Sequence, residues 1–233
     1  MKPLGGKAYG STPHLLGSRL GPGDHHCHQG QHDICTLKAR DKHDRIIVTE
    51  KLDGSNCAIA KLDGRIVALT RAGYLATTSP FPQHHYFAWW VDGRRGTYEE
   101  MLTDGEVLHG EWLALAHGTK YELPHDPFVA FGISRRAKER LGWDEVAFRC
   151  DAHDHPLARV LSDGPPMSIE AVRAAIATSG HGALDPVEGA VWRVERKGEF
   201  DFLAKWVAAD KQDGKYLTDI TGHPEHWNWK AAA

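Results

Sequence analysis

Residues 46–70 read IIVTEKLDGSNCAIAKLDGRIVALT. Three short runs in it, at 46–50, 57–62 and 65–70, are rich in branched side chains and predict β-strands. Asp63-Gly64, between the second and third, is a hairpin signal because both residues tolerate the positive φ that a tight two-residue turn requires. Between the first two runs stands Lys51-Leu52-Asp53-Gly54-Ser55-Asn56. A lysine amine is a nucleophile only when unprotonated, so a reactive lysine needs a site that lowers its pKa through desolvation or nearby cations. Gly54 lets backbone come close to a phosphate, and Ser55 and Asn56 offer hydrogen bonds to its oxygens. Asp-Gly-Ser-Asn is equally ordinary turn chemistry, so this segment alone carries either reading.

Outward from that stretch the pattern stays strand-rich. Residues 82–103 predict an amphipathic helix with bulky aromatics (Tyr86, Phe87, Trp89, Trp90), broken near Gly93 and Gly96. Strands are expected at 106–115, 128–133, 145–149, 157–161, 187–195 and 200–207. Ser168 is the natural N-cap of a helix running to about Thr178. The first 40 residues look loop-like, with turn signals at Gly10-Ser11-Thr12-Pro13 and Gly21-Pro22-Gly23-Asp24. Many antiparallel-type strands and few helices imply an α+β fold in one domain, with curved sheets packed on each other.

Composition narrows the class. The 233 residues are 41% hydrophobic and 25% charged, which fits an ordinary globular chain. No apolar run approaches the roughly 20 residues that span a membrane, and the first 30 residues lack the apolar core of a signal peptide. A net charge of −3 argues against coating nucleic acid by bulk electrostatics. A local basic groove remains open, from Arg94-Arg95, from the basic run at 135–140, or from Arg193 with Arg196-Lys197. Each of these is otherwise a solvated face. The four cysteines have no CxxC spacing, so reduced thiols in a cytoplasmic protein are the simpler reading. Asp24-His25-His26-Cys27-His28, with His32 and Cys35 beyond, could ligate zinc, but its spacing fits no standard finger and loop histidines are the alternative.

Six short motifs, taken in order, shift the balance at Lys51. They are Lys51-Leu52-Asp53-Gly54, Thr70-Arg71-Ala72-Gly73, His109-Gly110-Glu111-Trp112, the aromatic strand from Phe128 to Ile133, Glu188-Gly189-Ala190-Val191 and Phe202-Leu203-Ala204-Lys205. This series resembles the covalent nucleotidyltransferase superfamily of ATP-dependent DNA ligases, RNA ligases and mRNA capping enzymes. The resemblance implies an adenylyltransferase domain of antiparallel sheets flanked by helices, ATP-grasp-like, at residues 41–210. A loop-rich leader at 1–40 would pack on it and a short tail at 211–233 would follow, too little chain for a C-terminal OB domain. It also implies roles: Lys51 as the nucleophile that carries AMP, Arg71 at the nucleotide and the reacting end, and Glu111 on the ribose. Phe131 would stack on the base, although Phe128 and Phe131 also suit a core strand. Glu188 would serve the metal, and Lys205 the α-phosphate. The family usually has two lysines separated by one residue in the last motif. Here the other position is Leu203 or Val207, so Lys211 or Lys215 would have to substitute.

Asn56 after Gly54-Ser55, and Glu50 just before the lysine, are similar to nick-sealing RNA ligases, where the asparagine organises the triphosphate and the glutamate lies near the adenine amino group. Asp53 belongs to the same nucleotide-binding motif. The stretch from Tyr9 to Arg19 looks like the leader of small bacterial and phage RNA-ligase-like proteins. The resemblance thus implies an ATP-dependent RNA ligase that uses ATP as AMP donor and Mg²⁺ or Mn²⁺. Its substrates would be RNA ends in a nicked duplex or structured RNA, with a partner protein supplying further RNA-binding surface. A DNA ligase acting with a partner, or an RNA-end binder that does not seal, are the alternatives. The tail Trp227-Asn228-Trp229-Lys230 suits either stacking on bases or an apolar latch.

Overall fold

Asp63 and Gly64 both adopt positive φ, +50° and +71°, and join β2 (Ser55–Leu62) to β3 (Arg65–Thr70) as the hairpin requires. In the computed structural model, which describes residues 2–136 and 138–230, the strand before that hairpin belongs elsewhere. β1 (Asp44–Lys51) pairs antiparallel with β7 (Val160–Gly164) and β8 (Gly189–Arg196), and β9 (Glu199–Val207) completes a four-stranded sheet of order β7-β1-β8-β9. β2 and β3 join β4 (Glu106–Trp112), β5 (Phe128–Arg135) and the short β6 (Glu139–Arg140) in a five-stranded sheet of order β3-β2-β4-β5-β6. Residues 52–54 are therefore the crossing between sheets. At Gly54 a Cβ would run into the Trp112 carbonyl oxygen and come within 3.0 Å of the Leu113 side chain, so only glycine lets the crossing pass this closely.

Helices cover the outer face of each sheet. α2 (Pro82–Asp92), α3 (Arg95–Met101) and α4 (Trp143–Ala152) pack Phe87, Trp90, Tyr98 and Val146 against Ile59, Leu108, Trp112 and Phe128. α1 (Gln29–Thr36) and α5 (Ile169–Ala175) cover Ile46, Val48, Trp192 and Trp206 of the other sheet. A short α6 (Thr218–Thr221) lies near the end of the described chain. Because side chains alternate along a strand, burying Ile46 and Val48 outward turns Thr49 and Lys51 to the opposite face. In the same way Phe128 and Ala130 face α2, while Phe131 faces the other sheet. The two inner faces bound a cleft.

Several expectations need correction. Residues 145–149 are part of α4, not a strand. Glu145 to Arg149 alternates like a strand, but Val146 and Cys150 are the buried pair at helical spacing, Phe148 is exposed, and Arg149 reaches Glu145 one turn back at 2.7 Å. The leader contains α1, missed because its cap is a histidine: His28 Nδ1 accepts from the Gly30 N–H at 3.1 Å and Gln31 returns to the His28 N–H at 3.3 Å. The strand expected at 157–161 begins at Val160. The helical stretch divides at Gly93 as expected, but Gly96 lies inside α3; Ser168 caps α5 through the Ala171 N–H at 3.2 Å, and that helix ends at Ala175 rather than near Thr178.

The tail is a latch in this structure. Trp227 and Trp229 each pack 5.6 Å from the Tyr86 ring, and Trp229 lies 6.4 Å from Trp112. Asn228 Nδ2 donates to the Leu113 carbonyl at 2.7 Å, while its Oδ1 accepts from the Tyr121 N–H at 3.0 Å. Among the described residues no helix is long and apolar enough to cross a membrane. Asn228→Ala is expected to lower the unfolding free energy by about 1–3 kcal/mol, since it strands a backbone donor and an acceptor. Urea denaturation checks this, and an unchanged midpoint would mean the tail does not close the fold.

Candidate active site

Lys51 ends β1 opposite Gly189, and that pairing brings Glu188 to its amine. Lys51 Nζ donates to Glu188 Oε2 at 2.6 Å. A Cβ on Gly189 would strike the Trp206 carbonyl oxygen, so a glycine is needed where β8 passes β9 beside this pair. Across the crossing, the Gly54 N–H donates to Glu111 Oε1 at 3.2 Å. Burial pushes the Lys51 amine down, but Glu188, Glu111 and Asp53 outweigh it and hold the amine well above the ordinary lysine range. The depressed pKa expected of a reactive lysine is therefore not what these side chains by themselves produce, since the surrounding carboxylates favour the ammonium. Burial raises Glu188, against the pull of Lys51. It also raises Glu111, which is pushed up to about 7, with Glu188 and Asp53 adding to the rise.

The cleft between the sheets holds a cavity whose walls include Lys51, Glu50, Asn56, Arg71, Glu111, Phe131 and Lys205. Register explains the convergence: Thr49, Val191 and Lys205 lie side by side on β1, β8 and β9, all turned inward. Asn56 pairs with Glu111 across β2 and β4. The Asn56 Oδ1 atom is buried in the cavity wall and has no hydrogen-bond partner among the described residues.

Other expected residues are placed differently. Glu50 is buried, and its carboxylate is taken by Ser179 Oγ at 2.5 Å and the Gly180 N–H at 2.8 Å. Asp53 is not in the cavity wall. It accepts from the Gly118 N–H at 3.0 Å and Thr119 Oγ1 at 3.1 Å and pairs with Lys211 Nζ at 2.7 Å, while its own N–H donates to Tyr121 Oη at 3.0 Å. That spends Lys211, and Lys215 is held by Asp185 at 2.8 Å, so neither replaces the absent lysine of β9. Leu203 occupies the cavity wall and Val207 is buried. Arg71 is exposed at the cavity mouth, with Nη2 donating to the Gly10 carbonyl at 3.3 Å.

Sequence reasoning did not assign Tyr9 to this site, and it offered Arg140 and Arg193 only as parts of a basic groove or a solvated face, whereas all three line the cavity. The Tyr9 ring stands edge-on to Phe131 at 5.2 Å, and the Arg140 guanidinium lies 4.5 Å over Tyr9. Arg193 is buried rather than on a solvated face, its Nε donating to Glu195 at 2.7 Å. The signal available for it was its position two residues after Val191 on the inward side of β8. The histidine cluster does not make a metal site: Cys27 and Cys35 are core residues, His28 is the cap of α1, and His26 Nδ1 lies 3.2 Å from the Leu15 carbonyl oxygen. Among the described residues no group of three or more His, Cys, Asp or Glu could hold a metal by itself. The oxygen set of Glu188, Glu111 and Asn56 does suit a hard divalent ion that keeps several waters and shares a substrate's phosphates, as Mg²⁺ does. The site can thus do three things: present an amine, neutralise anionic charge with Arg71 and Lys205, and receive a planar ring against Phe131.

A protein-family model described as RNA ligase matches residues 44–207. Among solved structures, Naegleria gruberi RNA ligase with PPi is similar with a TM-score of 0.53 and 18% identity over 91% of this chain and 62% of that chain. A mutant of that ligase with ATP and Mn gives 0.54 and 15% identity over 87% and 60%. An archaeal ATP-dependent RNA ligase gives 0.49 and 23% identity over 71% and 43%. These likenesses concern the fold, and the chain spans less than two thirds of each of those proteins. Comparison with curated protein sequences gave no match.

The Glu111 carboxylate makes a pH prediction. Its folded pKa, about 7, lies above its ordinary 4.5, so the fold disfavours its charged form. Stability from this group is therefore lost as pH rises from about 4.5 through 7 and stays lost above. Glu111→Gln, which can still accept from Gly54, is expected to be more stable than the parent by about 1–3 kcal/mol at pH 8 and equal to it near pH 4. Thermal or urea unfolding at both pH values checks the sign.

Proposed function

The chain belongs to the RNA ligase family, and from that premise we propose that it is an ATP-dependent RNA ligase in which Lys51 accepts AMP. The observation that carries this reading is a single cavity, between two sheets, that collects Lys51 with Glu111, Phe131, Arg71 and Lys205. Lys51 Nζ attacks the α-phosphorus of ATP. As an ammonium, Lys51 must first give up a proton, and Glu188 Oε2, 2.6 Å from Nζ, is the nearest carboxylate to take it. The nitrogen–phosphorus bond then forms as the bond to the leaving pyrophosphate breaks, and the second nitrogen proton leaves to the pyrophosphate or to water. Phe131 takes the base, Glu111 the ribose, and Arg71 and Lys205 the phosphate charge. AMP then passes to an RNA 5′-phosphate, and a 3′-hydroxyl displaces AMP to close the phosphodiester. Glu188, with Glu111 and Asn56 close by, would hold Mg²⁺ or Mn²⁺, which supplies charge neutralisation at the phosphates. The Naegleria gruberi ligase structures contain ATP, AMP and Mn, which supports the same nucleotide and class of cation here.

The substrate is an RNA end, in a nick or a structured RNA, with a partner protein supplying further RNA-binding surface. The single lysine of β9 favours one other reading, an RNA-end binder that does not seal. Incubation with α-labelled ATP separates the two: a ligase retains label on the protein, and a binder does not. Lys51→Ala is expected to abolish the label, whereas label persisting on that variant would move the nucleophile elsewhere. Phe131→Ala is expected to raise the KM for ATP roughly tenfold, the loss of one base–aromatic stack. Sealing assays on nicked RNA, DNA and mixed duplexes distinguish RNA from DNA ligation.

A further inference from the structure

Lys205 is the lysine that β9 turns into the cavity, and it sits between Val191 of β8 on one side and the leader on the other. Residues 13–15 run alongside β9 and are hydrogen-bonded to it at this lysine: the Lys205 N–H donates to the Pro13 carbonyl at 2.9 Å, and the Leu15 N–H donates to the Lys205 carbonyl at 2.7 Å. His14, between them, is buried. Its Nδ1 lies 2.7 Å from Ser18 Oγ, and Ser18 Oγ accepts the Val207 N–H at 2.9 Å. Its Nε2 lies 3.0 Å from Asp24 Oδ2, which also accepts the Gly21 N–H at 3.1 Å. The other oxygen of Asp24 reaches Lys205 Nζ at 3.6 Å. A chain of contacts thus runs from β9 at Val207 through Ser18, His14 and Asp24 and returns to β9 at Lys205.

We infer that Asp24, fixed by the Gly21 N–H and set against His14, is a positioning residue that keeps the single β9 lysine aimed into the nucleotide cavity and ready for the α-phosphate. The inference rests on the ligase reading for its substrate. Physically, a flexible ammonium on a four-carbon stem loses rotamer freedom when it binds an anion. A carboxylate that is not part of the cavity wall and already pairs with it restrains it in advance. Burial and the nearby Lys51 both disfavour the charged form of Lys205, and Asp24 opposes them. The carboxylate at 3.6 Å makes an ion pair without the tight geometry of the Lys51–Glu188 contact, so a phosphate can recruit the amine without first breaking a short hydrogen bond.

The test is a double-substitution cycle on the full chain. Asp24→Asn, Lys205→Ala and the combination are compared in retention of label from α-labelled ATP and in ATP affinity by calorimetry, with thermal unfolding as a check on folding. The expected result is that Asp24→Asn weakens ATP use five- to tenfold in the parent and less than twofold in the Lys205→Ala background. An equal loss in both backgrounds, or no loss in the parent, overturns the inference. His14→Gln, a second route to the same effect should Asp24→Asn fail to fold, is expected to show the same dependence on Lys205. If the parent takes no label, the ligase reading fails; the ATP-affinity cycle still decides whether Asp24 acts through Lys205.

Discussion

A carboxylate and an ammonium 2.6 Å apart at the junction of two sheets set the terms for this site. Glu188 is buried and would be costly to leave alone, so its partner must be a cation that reaches it from the neighbouring strand. Lys51 is that cation because β1 and β8 pair with Lys51 opposite Gly189. The register is in turn enforced by the alternation that buries Ile46 and Val48 under α1 and α5. A slip of one residue would turn Lys51 to the helix side and leave Glu188 unpaired. The same pair also opposes reactivity. On the ligase reading proposed above, the ammonium must lose a proton before it can attack phosphorus, and a nucleotide with its cation would compete with it for Glu188.

Much of this was legible in sequence. Strands β1 to β3 and the hairpin between β2 and β3 follow from local chemistry, because branched runs and Asp-Gly turns act within a few residues. The gathering of Lys51, Glu111, Phe131 and Lys205 was legible only as ordered motifs, since no spacing along the chain encodes which strands will face each other. The failures have physical causes. Residues 145–149 alternate in hydrophobicity, yet the burial of Val146 and Cys150 against the back of β5 decides for α4. Asp53 and Lys211 each suit a phosphate or nucleotide contact when read along the chain, and no spacing in it shows that the fold pairs them with each other. Arg193 looked like a surface cation because a single sequence does not show that Glu195, two residues along the same strand, would accompany it into the interior.

The leader illustrates the point further. It reads as turns and histidines, and its one helix is opened by a residue rarely thought of as a cap. Folded, it spans the cleft: the Ala8 N–H donates to the Arg71 carbonyl at 3.1 Å on the five-stranded sheet, and Pro13 and Leu15 engage Lys205 on the other. Tyr9 lies between, against Phe131. The leader therefore supplies part of the cavity wall, through Tyr9, Gly10 and Thr12, beside the strands that carry the motifs.

The Lys211–Asp53 ion pair clips the chain just after β9 to the crossing between the two sheets. That corner is thus fastened by opposite charges as well as by backbone, and removing either partner would leave the other largely buried without its counter-charge.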